Sequence, residues 1–385
     1  MKHLIIRHFG PIKEVDIELG HVNLIIGPQS SGKSTVLKTA CYCSWVEKRI
    51  ELMQKANGFS MSSTFIDIMA DYYNIPNYIY ANTYIEYETN HLKFSYDHST
   101  ITFKMSWKTS RWNYRRPKIS YIPADRNLVA SIPGWSSMSL DGNMIDFLSD
   151  WDKARRYLKK EENFLNLGMS YTYDNISNTD IIQLANNKPI MLTESSSGIQ
   201  SLLPLYVHFD YLAKGQFNDQ NTKISLEQKE ERKNLLSTIY SKLYKKKQVD
   251  EHVEIVSIEG FDYSFSEHKH SMRFKEIYQK FTKVNHSEIF LEEPEDNLFP
   301  PTQCQLINWL IDMVQQHNDI LFIATHSPYV LNEMIKISPD NMVVFFTHRV
   351  NNENMAYSVR QLNDHEVHEI YDNGVDMFFN FELYV

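Results

Sequence analysis

The chain has 385 residues, 42% of them hydrophobic, which is enough to bury a large core and suggests two or three structural units. A net charge of −9 with 23% charged residues argues against a protein that coats nucleic acid non-specifically. Cys41, Cys43 and Cys304 stand in no framework spacing, and no run of about 18 apolar residues occurs, so a reduced, soluble, cytoplasmic protein without secretion signal or membrane span is expected.

Residues 3–9, 13–19 and 21–27 read as three strands, the last nearly continuously apolar, as fits a strand buried on both faces. A helix is expected from Lys33 to about Lys55. Between them GPQSSGKST, residues 27–35, matches the G-x-x-x-x-G-K-[ST] phosphate loop in the strand-loop-helix setting that such a loop requires. On this reading Gly27, Pro28, Gln29, Ser30, Ser31, Gly32 and Thr35 form a cradle whose backbone N–H groups wrap a β-phosphate at a helix N-terminus. Lys33 reaches the β- and γ-phosphates and Ser34 holds Mg²⁺, so ATP and Mg²⁺ are the expected cofactors.

From residue 78 to 107 apolar and polar residues alternate in YIEYE, LKFSYD and TITFKMSW, the pattern of an antiparallel β insertion. KISYIPADRN, residues 118–127, returns to a core strand ending at Pro123. Helical spacing then runs from about Met144 to Leu167 and resumes after Ser197. Residues 216–250 are polar with sparse apolar positions and read as an exposed helix, one arm of a helical hairpin.

Two later strands end in polar residues. SEIFL, residues 287–291, delivers Glu292 and Glu293 to a strand C-terminus, where α/β sheets bind ligands. Glu292 is expected beside Mg²⁺ through water, and Glu293 to orient and deprotonate the attacking water. The strand in NDILFIATHSPYVL places His326 to hydrogen-bond a γ-phosphate, the alternative being a histidine that caps the helix starting near Ser327. Residues 341–349 and 356–362 are expected to close the sheet.

A Ser-Gly corner precedes the apolar face formed by Ile199, Leu202, Leu203, Leu205, Tyr206 and Phe209. With Ser197 as N-cap, its hydroxyl and the N–H groups of Gly198 and Ile199 make a second phosphate-binding surface. One triphosphate does not need two such surfaces in one chain. Two copies facing each other do, each closing its corner over the γ-phosphate on the loop of the other. Pro204 within this helix predicts a kink or a late start.

Taken together, FGPIKEVDIEL, GPQSSGKST, Ser197-Gly198-Ile199-Gln200, EEPEDNLFP and ATHSPYVL resemble the ABC-type ATPases related to SMC, Rad50, RecF and the OLD proteins. More narrowly they resemble the stand-alone AAA family ATPases of bacterial anti-phage defence loci, such as the ATPase of Septu-like systems. The resemblance implies an α/β P-loop NTPase with an ABC/SMC-head-like core, an antiparallel β insertion and a helical insertion. It makes residues 27–35 Walker A, and it makes Ser197, Gly198 and Gln200 part of the ABC signature at the nucleotide. Glu292 and Glu293 take the Walker B roles, His326 is the switch histidine, and Asp296 falls in the loop that meets the opposite subunit. Two departures stand out: Glu292 occupies a position where ABC proteins at large carry Asp, and no Q-loop glutamine is identified, Gln54 lying far from any clear strand.

The expected organisation is a core N-terminal part over residues 1–44, a helix with the β insertion over 45–118, a signature lobe over 119–215, a charged helical insertion over 216–285 and a core C-terminal part over 286–385. Ser197 and Glu292 are 95 positions apart (292 less 197), against a few tens in transporter subunits, and no long coiled coil separates loop and corner as in SMC and Rad50. Fifty-nine residues follow His326 (385 less 326), too few for the Toprim domain of OLD nucleases, so a nuclease is expected on another polypeptide. DHEVHE, residues 364–369, lacks the H-E-x-x-H zinc spacing and reads as a solvated helix face. RRPK at 115–118 and KKK at 245–247 read as solvated turns, with phosphate-backbone contact as the other option.

The function expected is that of an ATP-hydrolysing homodimer or higher homo-oligomer, joined head to head, with no membrane partner. Its nucleotide state would control a separate effector, a nuclease or toxin, or engagement of nucleic acid. A largely non-hydrolysing ATP-bound scaffold and a DNA repair ATPase are the alternatives.

Overall fold

In the computed structural model, which describes residues 2–56, 58–132, 142–161, 163–184, 188–217, 225–244, 254–337, 342–351 and 356–373, the chain opens with β1 (Lys2–Phe9), β2 (Ile12–Leu19) and β3 (Val22–Ile26). β1 and β2 form a hairpin, and all five residues of β3 are buried, as their apolar run requires. Helix α1 (Lys33–Met53) follows, then α2 (Thr64–Tyr73), an element without a sequence expectation. β4 (Ile79–Glu88), β5 (Leu92–Asp97) and β6 (Thr102–Trp107) form the expected antiparallel meander. It is continuous with the main sheet, because β4 pairs along β1 with Ile6 opposite Ile85.

Beyond β7 (Pro117–Ile122) and the short α3 (Leu128–Ser131), α4 (Asn143–Leu158) ends earlier than its apolar spacing suggested. Residues 160–191 instead carry β8 (Lys160–Glu161), β9 (Ser170–Asp174), β10 (Thr179–Gln183) and β11 (Pro189–Met191), a separate four-stranded antiparallel sheet. The turn between β9 and β10 is made by Asp174, whose carboxylate accepts from the Ile176 N–H at 2.9 Å and the Ser177 hydroxyl at 2.6 Å.

After α5 (Ser197–Ala213), the charged segment also departs from expectation. α6 (Leu226–Leu243) is followed by a hairpin of β12 (Glu254–Ile258) and β13 (Phe261–Phe265), then by α7 (His268–Thr282). α6 is no exposed arm, because Leu235, Leu236 and Ile239 pack on Val256 and Phe265 of the hairpin and on Phe274 and Phe281 of α7. The hairpin turn is Glu259-Gly260, both at positive φ, 53° and 82°, as a two-residue turn of this kind requires. Lys245, Lys246 and Lys247 lie outside the described residues.

The remaining elements are β14 (His286–Glu292), α8 (Pro300–His317), β15 (Ile320–Thr325), α9 (Pro328–Ile337), β16 (Met342–Asn351), β17 (Ala356–Gln361) and α10 (Asp364–Asn373). The main sheet has eleven strands in the order β6-β5-β4-β1-β2-β17-β16-β3-β15-β14-β7. β16, β3, β15, β14 and β7 run parallel, the arrangement of a mixed α/β P-loop fold, with β15 lying between the loop strand and the strand that ends in Glu292. β16 and β17 do not close an edge. They sit mid-sheet and join its parallel part to its antiparallel part.

One face of the sheet packs against α4, α5, α8 and α9, the other against α1 and α2. Alternation assigns the sides: Ile289 and Leu291 of β14 face the first layer, whereas Phe290, stacked on Phe322 at 4.3 Å, faces α1. The sheet curls round α1 so far that Lys2 of β1 reaches Glu288 of β14, Nζ to Oε1 at 2.6 Å, and touches Ser44 of α1 at 3.3 Å. Among the described residues no helix is long and apolar enough to cross a membrane.

The Lys2–Glu288 pair gives a stability test. Burial alone would raise the Glu288 carboxyl, but Lys2 and His286 hold it well below the usual carboxylate range. A carboxyl held down in this way adds stability above its unfolded-state pKa and loses it as pH falls. Lys2→Met is expected to lower stability by about 3 kcal/mol at neutral pH in denaturant unfolding, with the loss shrinking in acid as Glu288 protonates.

Candidate functional site

The phosphate loop leaves β3 at Gly27, whose φ of 148° and surroundings both demand glycine: a Cβ there would lie 1.9 Å from Thr347 Oγ1 on β16. The Thr347 hydroxyl donates to the Ile26 carbonyl at 3.2 Å and accepts from Ser31 at 2.5 Å, clasping the two ends of the loop. Pro28, Gln29 and Ser30 are exposed, Ser31 and Gly32 are buried, and Ser34 is half-buried in the first turn of α1, with Thr35 buried behind it. Lys33 is buried across the loop, its ammonium donating to the carbonyls of Gly27 at 2.9 Å and Pro28 at 2.7 Å. Burial lowers its pKa, while Glu293 and Glu295 pull it back up.

Above the loop is a cavity of about 870 Å³. Residues 29–35 form its floor, Glu293 and His326 one wall, and the β1–β2 turn with Tyr78 and Tyr80 the other. Glu293 follows β14 in a turn at positive φ, 42°, held by its N–H donating to the Ala324 carbonyl at 2.9 Å. Its carboxylate stands 3.7 Å from His326 Nδ1. Burial raises the Glu293 carboxyl; His326 and Lys33 oppose the rise, and Glu295 and Glu292 add to it. His326 does not cap α9, because Ser327 takes that place, its hydroxyl accepting from the Val330 N–H at 3.3 Å.

Glu292 ends β14 on the α1 face, buried and behind the cavity wall. Its Oε1 has no hydrogen-bond partner. A buried carboxylate oxygen left in this state fits a hard cation that takes one or two protein oxygens. Among the described residues no cluster of three His, Cys, Asp or Glu side chains forms a metal cage, and α10, which carries the 364–369 motif, exposes His365 and His368 to solvent.

The Ser-Gly corner differs in detail from expectation. Ser196, not Ser197, is the N-cap of α5, because the Gln200 N–H already donates to the Ser196 carbonyl at 3.0 Å. Ser196 and Ser197 are exposed. The helix passes through Pro204 without ending, with every residue from 201 to 213 buried, so packing outweighs the missing N–H. The Gln200 amide donates back to Thr193 at 3.1 Å. Neither Ser197, Gly198 nor Gln200 lines the cavity of its own chain.

Three residues that sequence patterns did not single out tie this region together. Glu295 accepts from the Thr325 hydroxyl at 2.6 Å and from the His326 N–H at 3.1 Å. Asn297 donates to Ser201 Oγ at 2.9 Å and to Asp296 Oδ2 at 2.8 Å, while its carbonyl lies against Gly198. Arg126, fully buried, donates to five carbonyls: Ser201 at 3.1 Å, Pro123 at 3.4 Å, Glu292 at 3.0 Å, Glu293 at 2.8 Å and Pro294 at 3.3 Å. Burial pulls its guanidinium down to about 10, against the nearby Asp296, Glu295, Glu293 and Glu292. The corner and the Glu293 turn are therefore one connected unit. Of the remaining candidates, Gln54 caps the far end of α1 and bonds Arg111, and within 115–118 Arg116 donates to the Thr282 carbonyl at 2.6 Å while Lys118 pairs with Asp150, so that stretch is not a free turn.

No protein-family model matches the sequence, and comparison with curated proteins returns no match. Among solved structures the chain is similar to an SMC head domain from Thermotoga maritima, at 10% identity and a TM-score of 0.43 over 94% of this chain and 98% of that one. It is also similar to the recombination mediator protein RecF with ATP (15% identity, TM-score 0.31, 94% and 98% covered) and to the ATP-binding cassette of an ABC transporter in its ADP conformation (12%, 0.33, 98% and 99%). All three TM-scores lie below 0.5, and the P-loop fold stands on this chain's own strand order and loop geometry.

Arg126→Met removes a buried charge and the donors it gives to five carbonyls. It is expected to lower stability by about 3–5 kcal/mol in urea unfolding, and a loss below about 1 kcal/mol would contradict the bridging role.

Proposed function

We propose that this chain binds ATP with Mg²⁺ and hydrolyses it as a head-to-head dimer with two shared sites. The observation that carries this reading is the separation of two phosphate-binding features. The exposed corner at Ser197 and Gly198 lies outside the cavity of its own chain, yet is bonded through Asn297 and Arg126 to the turn that carries Glu293. A second copy, turned round, brings its corner over the γ-phosphate on this loop.

Within the site, the N–H groups of residues 28–33 and the N-terminus of α1 hold the β-phosphate. Lys33 turns from the Gly27 and Pro28 carbonyls to the phosphates. Ser34 and Glu292 hold Mg²⁺, which when bound neutralises charge on the β- and γ-phosphates. Glu293, with its carboxyl raised by burial, takes the proton of the attacking water, and His326, anchored through Glu295, donates to the γ-phosphate. Asp296 and Asn297 sit beside the corner and meet the partner copy. The nucleotide state then controls a separate effector, a nuclease or toxin, in a cytoplasmic defence system of the kind the motifs resemble.

Two measurements test this reading. Glu293→Gln should cut ATP turnover by about 10²–10⁴-fold while leaving ATP binding intact and lengthening the life of ATP-bound dimers in size-exclusion runs. Lys33→Ala and Ser197→Arg should each be inactive alone, and an equal mixture should regain turnover, because the mixed dimer keeps one intact site. A mixture as inactive as its parents, from chains that still fold, sinks the shared-site arrangement.

A further inference from the structure

A second cavity, of about 350 Å³, opens at β7, the edge strand of the main sheet, between α1, α2 and α4. Its wall is aromatic: Tyr42 and Trp45 of α1 stack at 5.7 Å, and Tyr72 of α2 lies beside them. The polar groups that line it are unevenly satisfied. Lys118 and Lys153 both pair with Asp150, and the Tyr72 hydroxyl donates to Asp146 at 2.6 Å. Lys48, half-buried, makes no hydrogen bond or ion pair among the described residues. Burial, with Arg116 and Lys118 adding to it, pulls the Lys48 ammonium down to about 7, and Asp150 and Glu288 offset only part of the fall. The phenols of Tyr73 and Tyr121, each 5% exposed and 5.4 Å apart between ring centres, also line the cavity, Tyr73 beside the Cys41 thiol and Tyr121 beside the Glu292 carboxylate.

We propose that this cavity binds a small aromatic anion, its carboxylate or phosphate on Lys48 and its ring against Tyr42, Trp45 and Tyr72. The volume suits one or two fused rings. Asp150 already takes Lys118 and Lys153, which leaves Lys48 to meet a single anionic group. The hydroxyls of Tyr73 and Tyr121 supply hydrogen bonds to polar atoms of the ligand. Tyr121 also lies against Glu292. Occupancy of the cavity therefore reaches the Mg²⁺ end of the nucleotide site through one side chain, and this coupling rests on the ATPase reading, whereas the binding itself does not.

The test is calorimetric titration of the full chain with 2-naphthoate, 2-naphthyl phosphate and the neutral 2-naphthalenemethanol. At least one of the two anions should bind, and which of them binds tells a carboxylate ligand from a phosphate one. The alcohol should bind at least about 10-fold more weakly, and Lys48→Met should weaken the anion about 10- to 100-fold. The same variant should raise the melting temperature of the ligand-free protein, since methionine fills the space without an unpaired charge, and leave ATP affinity unchanged. Failure of both anions to bind, or binding indifferent to Lys48→Met, overturns the proposal. Bound anion should also change ATP turnover at least about 5-fold in the wild type and leave it unchanged in Tyr121→Phe, which still binds the anion. A wild-type protein that hydrolyses ATP and binds the anion without any change in turnover refutes the coupling alone, and one that binds the anion but never hydrolyses ATP refutes the ATPase reading alone.

Discussion

Helix α1 has to do two opposed things: its first turn must stay open to take phosphate, and most of its remaining length must be shielded from water. The sheet resolves the conflict by curling. The parallel strands pack on one side of α1, the β1–β2 hairpin and the meander come round the other, and Lys2 closes the wrap by meeting Glu288. Even the acidic residues Glu47 and Glu51 of α1 are enclosed, and burial pushes both carboxyls up. The phosphate-loop end emerges at the mouth of the cavity formed with the β1–β2 turn. The position of that turn, and hence the shape of the far wall, follows from how the sheet wraps.

A second constraint operates on the other face. The placement of Glu293 at the cavity depends on a turn with positive φ, a conformation that a glutamate does not favour on its own. Arg126 holds that turn by its carbonyls, and the same guanidinium reaches the first turn of α5. A buried arginine bonded only to carbonyls keeps its charge because four carboxylates lie around it. Displacement of the Ser-Gly corner thus cannot leave the Glu293 backbone untouched. This rigid linkage gives a physical route by which pressure on the corner would be felt at Glu293.

Much of the site was legible because its logic is local. The residues of the loop from Gly27 to Thr35, the two glutamates after β14 and His326 after β15 all declare themselves by type and spacing at strand ends. Thr347, Arg126 and Glu295 did not, because each acts through contacts with segments distant in sequence, 316 positions away in the case of Thr347 and Ser31. The sheet of β8 to β11 escaped because its strands are short and follow a helix-like spacing. The β12–β13 hairpin carried its own signal in Glu259-Gly260, lost within a charged run. Ser196 and Ser197 show the limit from the other side: three consecutive serines offer no local reason to choose the cap, and the first helical hydrogen bond decides it.

The clasp of Thr347 on Ile26 and Ser31 has a further implication for how the molecule is made. β3 finds its two neighbours, β15 and β16, only near the end of the chain. On the ribosome the loop-bearing strand therefore waits, apolar but for Asn23 and with both edges bare, until β15 and β16 have been synthesised. A product truncated before them would expose a sticky ribbon to chaperones and proteases rather than persist as a crippled but folded competitor.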